Sequence, residues 1–180
     1  TALPAFHAGF GLPFAWQHKI PSHYAYRNPV GSEPQAIIAA SLAALRQKVE
    51  DLGGPERVAA FYAEPIQGSG GVLVPPPGWL RAMREACREM GILFVADEVI
   101  TGFGRTGAWF ACEHFGLEPD IMTMAKALTA GYAPMGAVIT RAEIADALPM
   151  FRHVHTFSGH AGCAAAANTA IRIKERDGLI

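Results

Sequence analysis

The sequence predicts an α/β fold, a mostly parallel sheet between helices. Three observations carry that expectation. Short apolar runs of strand length alternate with longer segments of helical spacing. The short runs are continuously apolar rather than alternating, as in strands covered on both faces. Two of them end on acids, at Glu64 and Asp97, and a third leads directly to Lys126. In such sheets the chemistry gathers at the carboxyl ends of the strands.

Each element has its own signal. Residues 1–30 carry Pro4, Pro13, Pro21 and Pro29 among aromatics and histidines, which predicts a long, partly packed loop. Ser32 is the expected N-cap of the first helix, with Pro34 in its first turn and Gln35 at the reciprocal capping position. Ile37, Ile38, Leu42, Leu45, Val49 and Leu52 follow at helical spacing, and Gly53-Gly54 ends the run. Val58 to Ala63 reads as a buried strand. Pro75-Pro76-Pro77 sets a rigid turn before a helix traced by Leu80, Met83, Cys87 and Met90. Ile92 to Ala96 is a second strand, and a short helix is expected around Ala108 to Phe115. Ile121 to Met124 and Met135 to Thr140 are further strands. Thr140 with Glu143 would cap a brief helix, and an Ala-rich helix from about Gly162 to Arg176 closes at Gly178.

Composition narrows the function classes. The 180 residues are 51% hydrophobic and 17% charged, enough for one domain with its own core. Fifteen Lys+Arg against sixteen Asp+Glu leave a formal charge of −1, without the basic excess of a nucleic-acid binder. The longest nearly apolar run, Ala36 to Leu45, is too short to cross a membrane. Cys87, Cys112 and Cys163 are odd in number and far apart, the pattern of reduced thiols in a cytoplasmic protein. The first residues lack the basic stretch of a signal peptide, and a start at Thr1 suggests a piece of a longer chain.

Two residues invite chemistry. Lys126 is one of four lysines and lies in Ile-Met-Thr-Met-Ala-Lys-Ala-Leu, where apolar surroundings would disfavour its ammonium form and leave an amine able to attack a carbonyl. Its plain alternative is a lysine whose stem packs while its head reaches water. Asp97 ends an apolar strand, where a half-desolvated carboxylate needs a cationic partner. A protonated pyridine nitrogen would serve, with Val99 pressing on the flat ring. A strand-end Asp capping a turn is the plain alternative.

Other patterns are incomplete. Ile-Leu-Phe-Val-Ala-Asp-Glu resembles the acidic strand of a nucleotide triphosphatase, yet the chain has no Gly-Lys dipeptide for a phosphate loop. Gly102 to Gly107 spells G-x-G-x-x-G, but Asp97 to Thr101 separate it from the strand, so its glycines are expected to shape a loop. His153, His155, His160 and Cys163 complete no recognised zinc pattern, so no metal is expected.

Four strings occur in order: Glu64-Pro-Ile-Gln-Gly-Ser-Gly-Gly71, Ala96-Asp-Glu-Val-Ile-Thr-Gly-Phe-Gly-Arg-Thr-Gly107, Pro119-Asp-Ile-Met-Thr-Met-Ala-Lys126 and Thr156-Phe-Ser-Gly-His160. Together they resemble the class III pyridoxal-phosphate aminotransferases, the omega-aminotransferase family, over essentially the whole chain. The resemblance implies the large domain of the fold type I, aspartate-aminotransferase-like enzymes, with pyridoxal 5'-phosphate as cofactor. Lys126 would join the cofactor aldehyde as a Schiff base and shuttle the proton. Asp97 would pair with the ring nitrogen, Val99 would pack on the ring, and Glu64 would support the pocket from the next strand end. Thr156 would bind the cofactor phosphate of the neighbouring subunit, making a homodimer with a shared active site. Ile100 stands at the cofactor where many members have a hydrogen-bonding Gln. Ser69 replaces the second Glu of the gamma-aminobutyrate-type members, which favours the amine–pyruvate subgroup.

The resemblance also implies that the phosphate loop precedes residue 1 and that the small domain follows Ile180. The expected reaction moves an amino group from an amine or amino acid to a keto acid such as pyruvate or 2-oxoglutarate. The alternatives are an aminomutase or decarboxylase of the same fold, or a non-catalytic fragment acting as a structural module.

Overall fold

The computed structural model describes residues 4–180, so residues 1–3 of the predicted N-terminal loop lie outside it. Its sheet has four strands in the order β1 (Ala60–Ala63), β2 (Leu93–Asp97), β3 (Ile121–Met124) and β4 (Ala137–Thr140). The first three are parallel, in the register Ala63 beside Ala96 and Asp97 beside Thr123. The fourth is antiparallel, with Met124 beside Ala137. The helices are α1 (Pro34–Asp51), α2 (Trp79–Glu89), α3 (Cys112–Phe115), α4 (Ala142–Asp146) and α5 (Ala161–Arg176).

Side chains alternate across the sheet, so Phe61, Phe94, Ala96, Met122 and Met124 turn to one face. Helix α2 covers that face with Trp79, Leu80, Met83 and Cys87, and the ring of Phe61 lies between those of Trp79 and Phe94 at 6.4 and 5.7 Å. Helix α1 packs behind α2 through Ile37, Ser41, Leu45 and Val49, four residues apart on one stripe. The indole N–H of Trp79 donates to Ser41 Oγ at 2.8 Å, which satisfies two polar groups inside the core. On the opposite face, Tyr62 is 56% and Val138 66% exposed.

Several boundaries differ from the expectation. The N-cap of α1 is Glu33, not Ser32, because a proline at the first helical position holds the preceding residue extended (φ −68°, ψ 125°). Strand β1 starts at Ala60, since Pro55–Arg57 forms a 3₁₀ turn that Val58 ends. The helix expected over 108–115 contracts to α3. Thr140 does not cap α4, whose N-cap is Arg141. Its hydroxyl instead donates to the carbonyl of Asp120 at 3.2 Å.

Asp120 is a buried junction. Its carboxylate accepts from Phe94 N–H at 2.8 Å and pairs with Arg84 at 2.9 Å and Arg141 at 3.1 Å, tying β2, α2 and the end of β4 together. Cys87 and Cys112 are buried free thiols and Cys163 is half-buried. Among the described residues no helix is long and apolar enough to cross a membrane.

Candidate active site

Three adjacent parallel strands end at one edge of the sheet, and each delivers a residue there. Glu64 follows β1, Asp97 is the last residue of β2, and Lys126 follows β3 after Ala125. The register sets Asp97 beside Thr123, three residues before Lys126. With strands about 4.8 Å apart and about 3.3 Å of rise per residue, the Cα atoms of Asp97 and Lys126 lie within about 11 Å.

Asp97 is half-buried, and both carboxylate oxygens are held. Oδ1 accepts from Val99 N–H at 3.0 Å and Oδ2 from the hydroxyl of Tyr62 at 3.0 Å. Both donors are neutral. Among the described residues Asp97 has no ion pair, so its charge lacks the cation that a half-desolvated carboxylate favours.

Lys126 is exposed rather than enclosed, contrary to the apolar setting its neighbours suggest. Met122, Met124 and Leu128 turn into the core, whereas a 3₁₀ turn over Lys126–Thr129 carries the lysine outward. Its backbone is left-handed (φ 42°), a conformation an L-residue keeps only when its surroundings enforce it. Here Leu128 and Thr129 are buried, Thr129 donates to Ala133 O at 2.6 Å, and helix α5 packs on the turn. Lys174 of α5 donates to Ala127 O at 3.0 Å. Among the described residues Lys126 itself has no side-chain hydrogen bond or ion pair, so its amine is available at the edge.

The two loops leaving β1 and β2 touch. Glu64 bends back to accept from Gly68 N–H at 2.8 Å. Ile100 packs so closely on Gly68 that a Cβ there would overlap Ile100 Cδ1. Glu64, Val99 and Ile100 therefore all line the edge that bears Asp97. Thr156 lies in an exposed irregular stretch between α4 and α5 and, among the described residues, shares no hydrogen bond with this group. The histidines divide: His153 and His155 meet Nε2 to Nε2 at 2.7 Å, while His160 Nδ1 accepts from Cys163 N–H and caps α5. Among the described residues no three metal-ligating side chains gather.

Two residues of the site escaped the sequence reading. Glu98 is fully buried and accepts from Thr101 Oγ1, from Ala111 N–H at 3.1 Å and from Cys112 N–H at 2.7 Å. It fastens the glycine-bearing loop after β2 to the root of α3. Tyr62 reaches across from β1 to Asp97 and to Thr123 Oγ1, each at 3.0 Å. The period of two was the available signal. Tyr62 shares the face of Glu64, and Glu98 opposes the face of Asp97.

The chain compares with known proteins as follows. A family model described as aminotransferase class-III matches residues 2–180. A putrescine–pyruvate aminotransferase of Pseudomonas aeruginosa is 50% identical over 139 residues, covering 76% of this chain and 30% of that protein. An uncharacterized aminotransferase of Sinorhizobium fredii is 41% identical over 180 residues, covering 96% of this chain and 38% of that protein. Among solved structures, an amine transaminase from an uncultivated Pseudomonas species in its PLP-bound form superposes with a TM-score of 0.91 at 40% identity, covering 97% of this chain and 41% of that one. The chain thus spans well under half the length of these relatives.

Proposed function

The chain belongs to the class III aminotransferases, and on that premise we propose that its protein transfers an amino group from an amine or omega-amino acid to a keto acid such as pyruvate, with pyridoxal 5'-phosphate as cofactor. The carrying observation is the pairing at one sheet edge of a carboxylate without a cation and an amine without a partner. The residues fit the group. A protonated ring nitrogen is the cation Asp97 lacks, and an aldehyde is the electrophile a free lysine amine takes.

When bound, the cofactor supplies that aldehyde and an electron-accepting ring. Asp97 would hold the proton on the ring nitrogen. Val99, tied to Asp97 through its own N–H, would pack its side chain on the ring. Lys126 would hold the cofactor through Nζ, and the same amine is the group placed to take and return the proton beside the substrate nitrogen. Glu64 shapes the pocket wall, and Ile100 contributes an apolar surface without a hydrogen bond. Thr156 would bind the phosphate of the cofactor held by a neighbouring subunit in a homodimer.

Borohydride treatment of the full protein with pyridoxal phosphate tests this reading. Peptide mapping is expected to find the reduced adduct on Lys126, and Lys126→Ala is expected to abolish both adduct and turnover. A fully active Lys126→Ala variant overturns the proposal. Adduct formation without net amino transfer to pyruvate would point to an aminomutase or decarboxylase, and absence of any adduct to a structural module.

A further inference from the structure

Asp97 is held from two directions, and the second has no counterpart in the mechanism above. Resting on that mechanism, we propose that Tyr62 is a positioning residue: its hydroxyl locks the Asp97 carboxylate in the orientation that receives the cofactor's ring nitrogen, with Thr123 completing the chain.

Proton counting gives the chain of hydrogen bonds its direction. Tyr62 Oη lies 3.0 Å from Asp97 Oδ2 and 3.0 Å from Thr123 Oγ1. An ionised carboxylate only accepts, and a phenol has one proton. That proton therefore goes to Asp97, and the Thr123 hydroxyl must donate to Tyr62. The chain runs in one direction, from Thr123 on β3 through Tyr62 on β1 to Asp97 on β2, across three neighbouring strands. Val99 N–H occupies Oδ1. With one donor on each oxygen, the carboxylate cannot turn about its Cβ–Cγ bond without losing both. Each oxygen still keeps a free lone pair for a further donor.

The phenol suits this duty. Partial burial pushes its pKa up. The hydrogen bond from Thr123 opposes that, and the negative charges of Asp97 and Glu64 add to it. Tyr62 thus remains a donor across the working range of pH. The residue as a whole is more than half exposed, so the hydroxyl rather than core packing carries its contribution.

The test is a pyridoxal-phosphate titration of the full apo-protein, together with steady-state kinetics and melting. Tyr62→Phe keeps the ring and removes only the hydroxyl. It is expected to weaken cofactor binding about tenfold, the scale of one charge-assisted hydrogen bond. The kcat should fall while KM for the amine and the melting temperature hold. In an Asp97→Asn background the same change is expected to add no further loss of cofactor affinity. Thr123→Val, which removes the upstream donor, should lower affinity about threefold, and it carries the test alone if Tyr62→Phe does not fold. Unchanged cofactor affinity in Tyr62→Phe, or losses that multiply with Asp97→Asn, overturn the proposal. If Asp97→Asn and Lys126→Ala also bind cofactor like the parent, the mechanism falls with it. If those two lose cofactor and Tyr62→Phe does not, only the role of Tyr62 falls.

Discussion

Asp97 and Glu98 are neighbours in sequence and occupy opposite environments. Asp97 stands at the open sheet edge, held by one phenol and one amide, with lone pairs to spare. Glu98 lies fully buried among three donors from its own chain, at the closed root of the loop that follows. The chemistry of the two side chains is nearly the same. On the proposed function, the difference is one of access: Asp97 keeps accepting capacity at the open edge, whereas Glu98 spends its own on donors inside the fold. Alternation at the end of β2 turns one acid toward the edge and the next into the fold.

Matched amide substitutions separate the two carboxylates. Asp97→Asn is expected to lower turnover by about 10³-fold, because a neutral amide cannot hold the ring-nitrogen proton. Its melting temperature should stay close to that of the parent. An active Asp97→Asn protein would remove the open edge as the site.

Glu98→Gln should show the reverse. An amide presents one accepting oxygen to three donors and adds an N–H₂ group facing backbone N–H groups. The expected cost is about 3 kcal/mol in urea unfolding, with the activity of the folded fraction retained. Unchanged stability would mean that Glu98 does not fasten the loop.

Alkaline pH sharpens the closed side further. Burial pushes the Cys87 thiol up to about 12, and burial with the neighbouring Glu98 raises the Cys112 thiol as well. In the unfolded chain these thiols ionise near pH 9, while the folded protein keeps their protons. The unfolded state then binds fewer protons, so stability falls as pH rises above about 9, by about 1.4 kcal/mol per pH unit per thiol at most. Cys112→Ala is expected to flatten that decline, as read from melting temperatures between pH 8 and 11.

The smallest expected effect lies where the two strand-end loops touch. Gly68→Ala drives a methyl into Ile100 Cδ1, at a cost of about 1 kcal/mol. Ile100→Val, which lacks that carbon, should relieve part of the cost. Equal melting temperatures for the parent and Gly68→Ala would show that Ile100 simply swings aside.

The order of helices and strands and the place of the strand-end acids are legible in the chain alone. Apolar runs ending on Glu64 and Asp97, with Lys126 just past a third, mark strand ends whatever the packing around them. What it left open depended on neighbours distant in the chain. Nothing in Met135 to Thr140 says that β4 runs antiparallel, because hydrophobic pattern sets a strand's face and not its direction. The apolar string around Lys126 suggested enclosure, but the left-handed turn that lifts the lysine outward is imposed by Leu128, Thr129 and Lys174. The bond from Tyr62 to Asp97 joins residues on separate strands, and only the register of the folded sheet brings a phenol and a carboxylate to within 3.0 Å. Local pattern is written residue by residue. Which side chains meet is decided when strands pair, because pairing alone fixes distances across the sheet.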